Sequence, residues 1–114
     1  MGESVKEINK IIIKDDEIIY QSAPVGKKHD ENKPRFSLLP SQIWQVIDVL
    51  EFGAKKYGVD NWQKVDNSRE RYFNACHRHL QAWWSGERLD AESGLPHLAH
   101  AVCCLLFLMW GDDE

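Results

Sequence analysis

No apolar stretch in this chain is long enough to cross a bilayer. Its longest, Leu98 to Trp110, is headed by histidines and falls short of the roughly 20 residues a spanning helix needs. Cysteine is scarce: three residues in 114, two of them adjacent in that apolar run, which cannot make a disulfide framework. They are expected to be buried thiols in a reducing compartment. A basic excess is also missing. Fourteen Lys and Arg against eighteen Asp and Glu give a net charge of −4 and a pI near 5.7. That argues against a nucleic-acid polymer as partner, since binders of the phosphate backbone are usually basic. The N-terminal MGESVKEINK has no apolar core ahead of a cleavage site, so secretion is not expected. No repeat or low-complexity tract interrupts the chain. These absences leave one soluble cytoplasmic domain with no membrane partner, at a length where one core is feasible and oligomers help.

What is present concentrates in one stretch, Arg78 to Ala101, RHLQAWWSGERLDAESGLPHLAHA. It holds three histidines, three acids and two adjacent tryptophans between segments that read as buried helix. His97 and His100 stand three apart, which on a helix places both rings on one face, roughly 60° apart around the axis. Glu87, Asp90 and Glu92 fall in a short connection before them, and His79 lies on the preceding helix. Ionisable groups are costly inside a core unless they pair or bind a metal. A single histidine on an amphipathic helix is more often a satisfied core residue than a ligand, and the acids of GERLDAES could be a solvated loop. Three histidines on two adjacent helices, with carboxylates in the turn between them, favour a metal or phosphate site over coincidence. Structural zinc is not indicated, because Cys103 and Cys104 cannot both point at one site from a helix.

In chain order, KIIIKDDEIIYQ (10–21) has two β-branched runs around Asp15 and Asp16 and reads as a short hairpin. An isolated hairpin is marginal, so this arm is expected to dock on the helical body or on a neighbouring subunit. A polar linker follows, and residues 1–31 together read as arm and linker ahead of a helical domain over 32–114. Pro40 and Ser41 mark a helix start. Ile43, Val46, Ile47, Leu50, Ala54 and Tyr57 then recur with helical period, and Gly58 ends the helix, predicting 41–57. Gly53 within it costs up to about 1 kcal/mol relative to alanine, which suggests close packing or ligand approach. VDNWQKVDNS is a loop in which Trp62 packs down. Ser68, as N-cap, opens a second helix to Trp84, with Tyr72, Cys76, His79, Leu80 and Trp83 on an inward stripe. Pro96 opens a third helix over 96–110, apolar nearly all round and therefore central, and GDDE is expected to fray. The fold class is all-α, a helical bundle with a short N-terminal β-hairpin arm. So apolar a third helix also implies a homodimer or homotetramer sharing apolar faces.

KPRFSLLP, FGAKKYG, NW, RHLQAWW, GE and ESGLPHLAHAVCCLLFL occur in the order seen in a known family. Over about residues 32 to 108 the chain resembles the N-terminal domains of phage-type dATP/dGTP diphosphohydrolases, grouped with the MazG-like all-α nucleoside triphosphate pyrophosphohydrolases. The resemblance implies a MazG-like bundle that uses Mg2+ or Mn2+ to split a purine deoxynucleoside triphosphate, its partner molecule, into monophosphate and pyrophosphate. It also implies a cytoplasmic setting, the host cytoplasm if a phage encodes the chain. One departure stands out. MazG-like enzymes hold metal with two helical acidic pairs, whereas here His97 and His100 occupy the register of the second pair, and no ExxE stands on 68–84.

The expected metal ligands are therefore Glu92, His97, His100 and His79, a donor set that suits manganese, zinc or iron better than magnesium. Glu87, Asp90 and Glu92 are the candidate catalytic acids, one of which would take a proton from the attacking water. Lys33, Arg35, Lys55, Asn61, Trp62 and Arg78 are the candidate substrate contacts: cations for the triphosphate, and the tryptophan for stacking on a base. Lys55 and its neighbour Lys56 could equally be a solvated helix face, and tryptophans in small helical domains are more often core. Two other readings stay open: a different metal-dependent phosphohydrolase, and a phage accessory module that binds nucleotide without cutting it.

Overall fold

The computed structural model describes Lys10–Lys14 and Glu17–Gln21 by their backbone and residues 25–114 in full. The chain divides into two compact units, Met1–Arg35 and Phe36–Glu114. In the first, strands β1 (Lys10–Lys14) and β2 (Glu17–Gln21) pair antiparallel, with Lys10 opposite Gln21 and Lys14 opposite Glu17. The expected polar turn at Asp15 and Asp16 lies outside the described residues, and docking of an arm draws no support from this pair.

The second unit is all-helical. Three α-helices, α1 (Ile43–Tyr57), α2 (Ser68–Trp84) and α3 (His97–Asp113), are joined with short 3-10 turns at Phe36–Leu38 and Asn61–Lys64. α3 is the axis of the unit. Ala99, Cys103 and Phe107, spaced four apart, face Val46, Val49, Ile43 and Leu50 of α1. Ala101 and Cys104, on the other flank of α3, meet Cys76, Tyr72 and Ala75 of α2. The buried side chains at these seams are small, which lets the helix backbones approach closely. The Cys76 and Cys103 thiols donate weak hydrogen bonds across the seams to the carbonyls of Ala101 (3.7 Å) and Val46 (3.6 Å).

All three cysteines are free and buried. Burial pushes the Cys103 thiol up to about 12 and the Cys104 thiol up to about 11, and it raises Cys76 as well. Thiolate is the reactive form. Native protein at pH 8 should therefore leave an aromatic disulfide reagent unreduced, and the three thiols should titrate only after denaturant is added. Rapid colour in the native state would show that the seams open readily.

Several boundaries differ from expectation for local reasons. α1 begins at Ile43, because Pro40–Gln42 first make a tight turn with i→i+3 bonds to Ile43, Trp44 and Gln45. Asn67, not Ser68, occupies the cap of α2. It sits in the left-handed region at φ 52°, which asparagine tolerates, and Ser68 is the first helical residue. α3 continues through Asp113, since no proline or left-handed residue interrupts it after Trp110. A Cβ at Gly53 would meet nothing within 4 Å, so close packing does not explain that glycine.

Leu80 and Trp83 are exposed, although they continue the inward stripe of α2. α3 begins with His97 opposite His79, so the last turns of α2 run past the start of α3 and lack a helix to cover them. α3 is likewise not buried all round in one chain: Leu98, Val102, Leu105, Leu106 and Met109 are exposed. Among the described residues no helix is long and apolar enough to cross a membrane.

Candidate functional site

The connection between α2 and α3 is a tightly hydrogen-bonded loop. α2 ends in a Schellman motif: Glu87 N–H donates to the Ala82 carbonyl (3.0 Å) and Gly86 N–H to that of Trp83 (3.0 Å). Gly86 takes φ 104°, a value that an L side chain would strain. The chain then doubles back. His97 N–H donates to Arg88 (2.9 Å), Leu89 bridges Pro96, and Asp90 N–H donates to Leu95 (2.8 Å). At the tip, the Asp90 carboxylate accepts from the backbone N–H groups of Glu92 (3.1 Å) and Ser93 (2.9 Å). Gly94, at φ 72°, closes the turn by donating to the Asp90 carbonyl (2.8 Å). This fold of D-A-E-S-G returns the first turn of α3 to the last turns of α2 and points Asp90 at the histidines between them.

There the Nδ1 atoms of His79 and His97 lie 2.8 Å apart. The Nε2 of His97 is 2.8 Å from a Glu87 carboxylate oxygen. With Glu87 accepting there, the neutral tautomer of His97 carries its proton on Nε2 and has its lone pair on Nδ1. His97 is 5% exposed, the only buried polar or charged residue among those described. The His100 ring stacks on that of His79 at 4.5 Å between centroids and 9° between planes, and its Nε2 sits 2.7 Å from Ser93 Oγ. Donor atoms of His79, Asp90 and His97 all lie within 4.8 Å of one another.

Burial, then the neighbouring His100 and His97, pushes His79 down to about 4. Burial also lowers His100, only partly opposed by Asp90. For Asp90, burial acts upward but is outweighed by the Ser93 hydrogen bonds and by His100 and His79, which hold its carboxyl below the usual range. Near neutral pH the cluster therefore presents a neutral imidazole on His79 beside an ionised Asp90. Such an arrangement can bind a cation through nitrogen and oxygen donors, or relay a proton along Glu87, His97 and His79.

Among the expected ligands, His79 and His97 come together directly, and His100 packs behind them. Glu92 points instead to Lys56 at the end of α1, with which it forms an exposed ion pair. Glu87 reaches His97, and Asp90 reaches the cluster. Arg78 is exposed on α2 beside His79, and Lys55 is exposed on α1. Asn61 starts the 3-10 turn after α1, and Trp62 on that turn packs against α3, stacked on Phe107 at 4.5 Å. Lys33 and Arg35 belong to the first unit. Reading the sequence missed Ser93, and it offered Lys56 for the triphosphate or as a solvated face, not as the partner of Glu92. The Asp-x-x-Ser-Gly spacing, a turn in which the aspartate side chain accepts backbone N–H groups, was the signal for Ser93.

Residues 23–114 match the family described as dATP/dGTP diphosphohydrolase, N-terminal. The chain belongs to this family. Within its curated relatives, a protein of Salmonella phage PMBT28 named dATP/dGTP diphosphohydrolase is 38% identical over 86 residues. That alignment takes in 75% of the present chain and 29% of the phage protein, so the chain spans less than a third of that relative's length. No solved structure matches. The family match covers the whole helical unit and with it the histidine cluster, together with the end of the first unit.

Proposed function

We propose that this diphosphohydrolase-family domain is a MazG-like helical bundle that hydrolyses purine deoxynucleoside triphosphates, dATP and dGTP, to the monophosphate and pyrophosphate. The observation that carries the reading is the family match over 23–114, with the name of the phage relative giving the substrate class. The reaction calls for a divalent cation, which when bound would offset charge developing on the phosphate oxygens. The cluster fits such a group. It offers two imidazole nitrogens and a carboxylate on ordered backbone, from His79, His97 and Asp90.

The chain's own groups then have separable tasks. Arg78 and Lys55 supply positive charge for the triphosphate from the two helices that flank α3. Water attacking in line must lose a proton, and the carboxylates of Glu87, Asp90 and Glu92 are the acceptors on offer. The setting is the cytoplasm, with a homodimer or homotetramer as the working assembly.

One observation favours the non-catalytic reading, a module that binds nucleotide and does not cut it. Each of the three carboxylates already has a partner: Glu87 has His97, Asp90 has backbone N–H groups, and Glu92 has Lys56. Purified chain should be incubated with each of the eight common triphosphates in Mg2+, Mn2+ or Co2+, and the products identified. The hydrolase reading expects dATP and dGTP to yield monophosphate and pyrophosphate. Stepwise release of orthophosphate would point to a different phosphohydrolase. Saturable nucleotide binding with no product under any cation would establish the binding module.

A further inference from the structure

We propose that His79 Nδ1, His97 Nδ1 and one carboxylate oxygen of Asp90 form a three-donor site for a first-row transition-metal dication in preference to Mg2+, with Glu87 positioning His97 from outside the donor set. Glu92 and His100 then fall outside it. This rests on the cluster being the working site of the hydrolase reading, but it does not require turnover.

The donors are presented before any ion arrives. Glu87 takes the Nε2 side of His97 at 2.8 Å, so the Nδ1 lone pair is directed at His79. A ligating histidine commonly gives its second ring N–H to a carboxylate, which fixes the tautomer and makes the ligand more basic. His100, stacked on His79 and held by Ser93, blocks rotation of the His79 ring. Backbone N–H groups on the Asp90 carboxylate hold the third donor in place. Three residues from three elements (a helix, a loop and the start of a second helix) thus converge within 4.8 Å.

The spacing suits an ion of this size. Metal–nitrogen bonds of about 2.1 Å put neighbouring ligand nitrogens about 3.0–3.4 Å apart, so the 2.8 Å pair need open only slightly. Two imidazoles and one carboxylate form the donor set of transition-metal centres with open positions, whereas Mg2+ prefers oxygen donors and water. The competing arrangement is an N–H···N hydrogen bond from His79 to His97, in which the pair is a packing feature alone. In that case no ion would bind.

Another reason to exclude Glu92 is its engagement elsewhere. It faces Lys56, whose ammonium is raised above its usual value by the hydrogen bond to Glu92 and then by Tyr57. A cation recruiting Glu92 would have to displace that lysine. His100 offers Nε2 to Ser93, so its outward nitrogen is already used.

Calorimetry and equilibrium dialysis of the full chain with Zn2+, Mn2+, Co2+ and Mg2+ test the site, with no nucleotide present. Wild type is expected to bind one transition ion per chain and to take up no Mg2+ at the same concentration. His97→Ala and Asp90→Asn should lose binding at least 100-fold. The asparagine keeps an oxygen to accept the turn's N–H groups, so it remains informative if His97→Ala fails to fold. Glu87→Gln should weaken binding about 10- to 100-fold with the stoichiometry kept, which is the usual cost of losing such an outer partner. Glu92→Ala should bind as wild type, and His100→Ala should keep one ion per chain with weaker binding, because the His79 ring is then free to turn. The proposal is overturned if wild type binds no transition ion, if Asp90→Asn binds unchanged, or if Glu92→Ala abolishes binding. Ion binding without nucleotide hydrolysis would defeat the hydrolase reading and leave this site standing; hydrolysis in Mg2+ by a chain that binds no transition ion would do the reverse.

Discussion

Trp62→Ala is expected to destabilise the domain by about 3 kcal/mol, the lower part of the range for removing a packed aromatic, and to leave the KM for nucleotide unchanged. Trp62 stacks on Phe107 with 13° between the rings and meets Trp110 edge-on at 5.1 Å. Tyr72 of α2 tilts against the same Phe107 at 4.9 Å, and its hydroxyl donates to the Trp62 carbonyl at 3.1 Å. The Trp62 ring therefore ties the 3-10 turn to the C-terminal half of α3, on the same Phe107 that Tyr72 of α2 packs against. The buried seams of the unit are built largely from alanine, valine and cysteine, so little else there supplies comparable apolar area. For a domain of this size about 3 kcal/mol lowers Tm by more than about 10 °C, and thermal unfolding by circular dichroism reads it directly. Trp62→Phe should recover most of the loss by keeping a ring on Phe107. The outcome that would restore Trp62 as a base-stacking residue is a Tm shift of a few degrees with a several-fold rise in KM.

Trp62 also shows where sequence reading reaches its limit. Its period and neighbours placed it in a loop, and both packing and stacking were chemically reasonable; only the 3-10 turn aims it at α3. The helices themselves were readable. α2 spans Ser68–Trp84 as expected because its stripe is regular and Ser85-Gly86 makes an unambiguous stop. The histidines were legible for the same reason, since 79, 97 and 100 lie on periodic segments whose faces can be computed. The acids were not. Asp90 and Glu92 are two apart in an irregular connection, where no period says which one turns inward. Hydrogen bonds from Glu92 and Ser93 backbone groups make that choice for Asp90, and Lys56, 36 positions away from Glu92, makes the opposite one for Glu92. The extent of exposed apolar surface on α3 was equally hidden, because composition reports how apolar a helix is but not how many of its sides one chain covers.

That uncovered side leads to the second large effect: Val102→Glu combined with Leu105→Glu should convert the proposed dimer or tetramer to a monomer. Around α3, one flank is taken by α1 through Ala99, Cys103 and Phe107, and another by α2 through Ala101 and Cys104. The third side carries Leu98, Val102, Leu105 and Met109, which are 40%, 37%, 50% and 62% exposed. Their four-three-four spacing is that of a helix-pairing seam. No charged side chain occurs from Leu98 to Trp110 to solvate this face. A second copy is the simplest occupant, because a two-fold axis along the seam sets the same stripe against itself and covers both at once. Carboxylates brought into such a contact would be desolvated without partners, at a cost of several kcal/mol, so the dissociation constant should rise at least about 1,000-fold. Sedimentation equilibrium at micromolar protein is expected to give two or four times the 13.3 kDa chain mass for wild type and the single-chain mass for the double variant. Asn74→Glu, on the exposed side of α2, serves as a charge control and should leave the assembly intact. A wild-type particle of 13.3 kDa, or a double variant that sediments like wild type, would mean that the face has no self-partner.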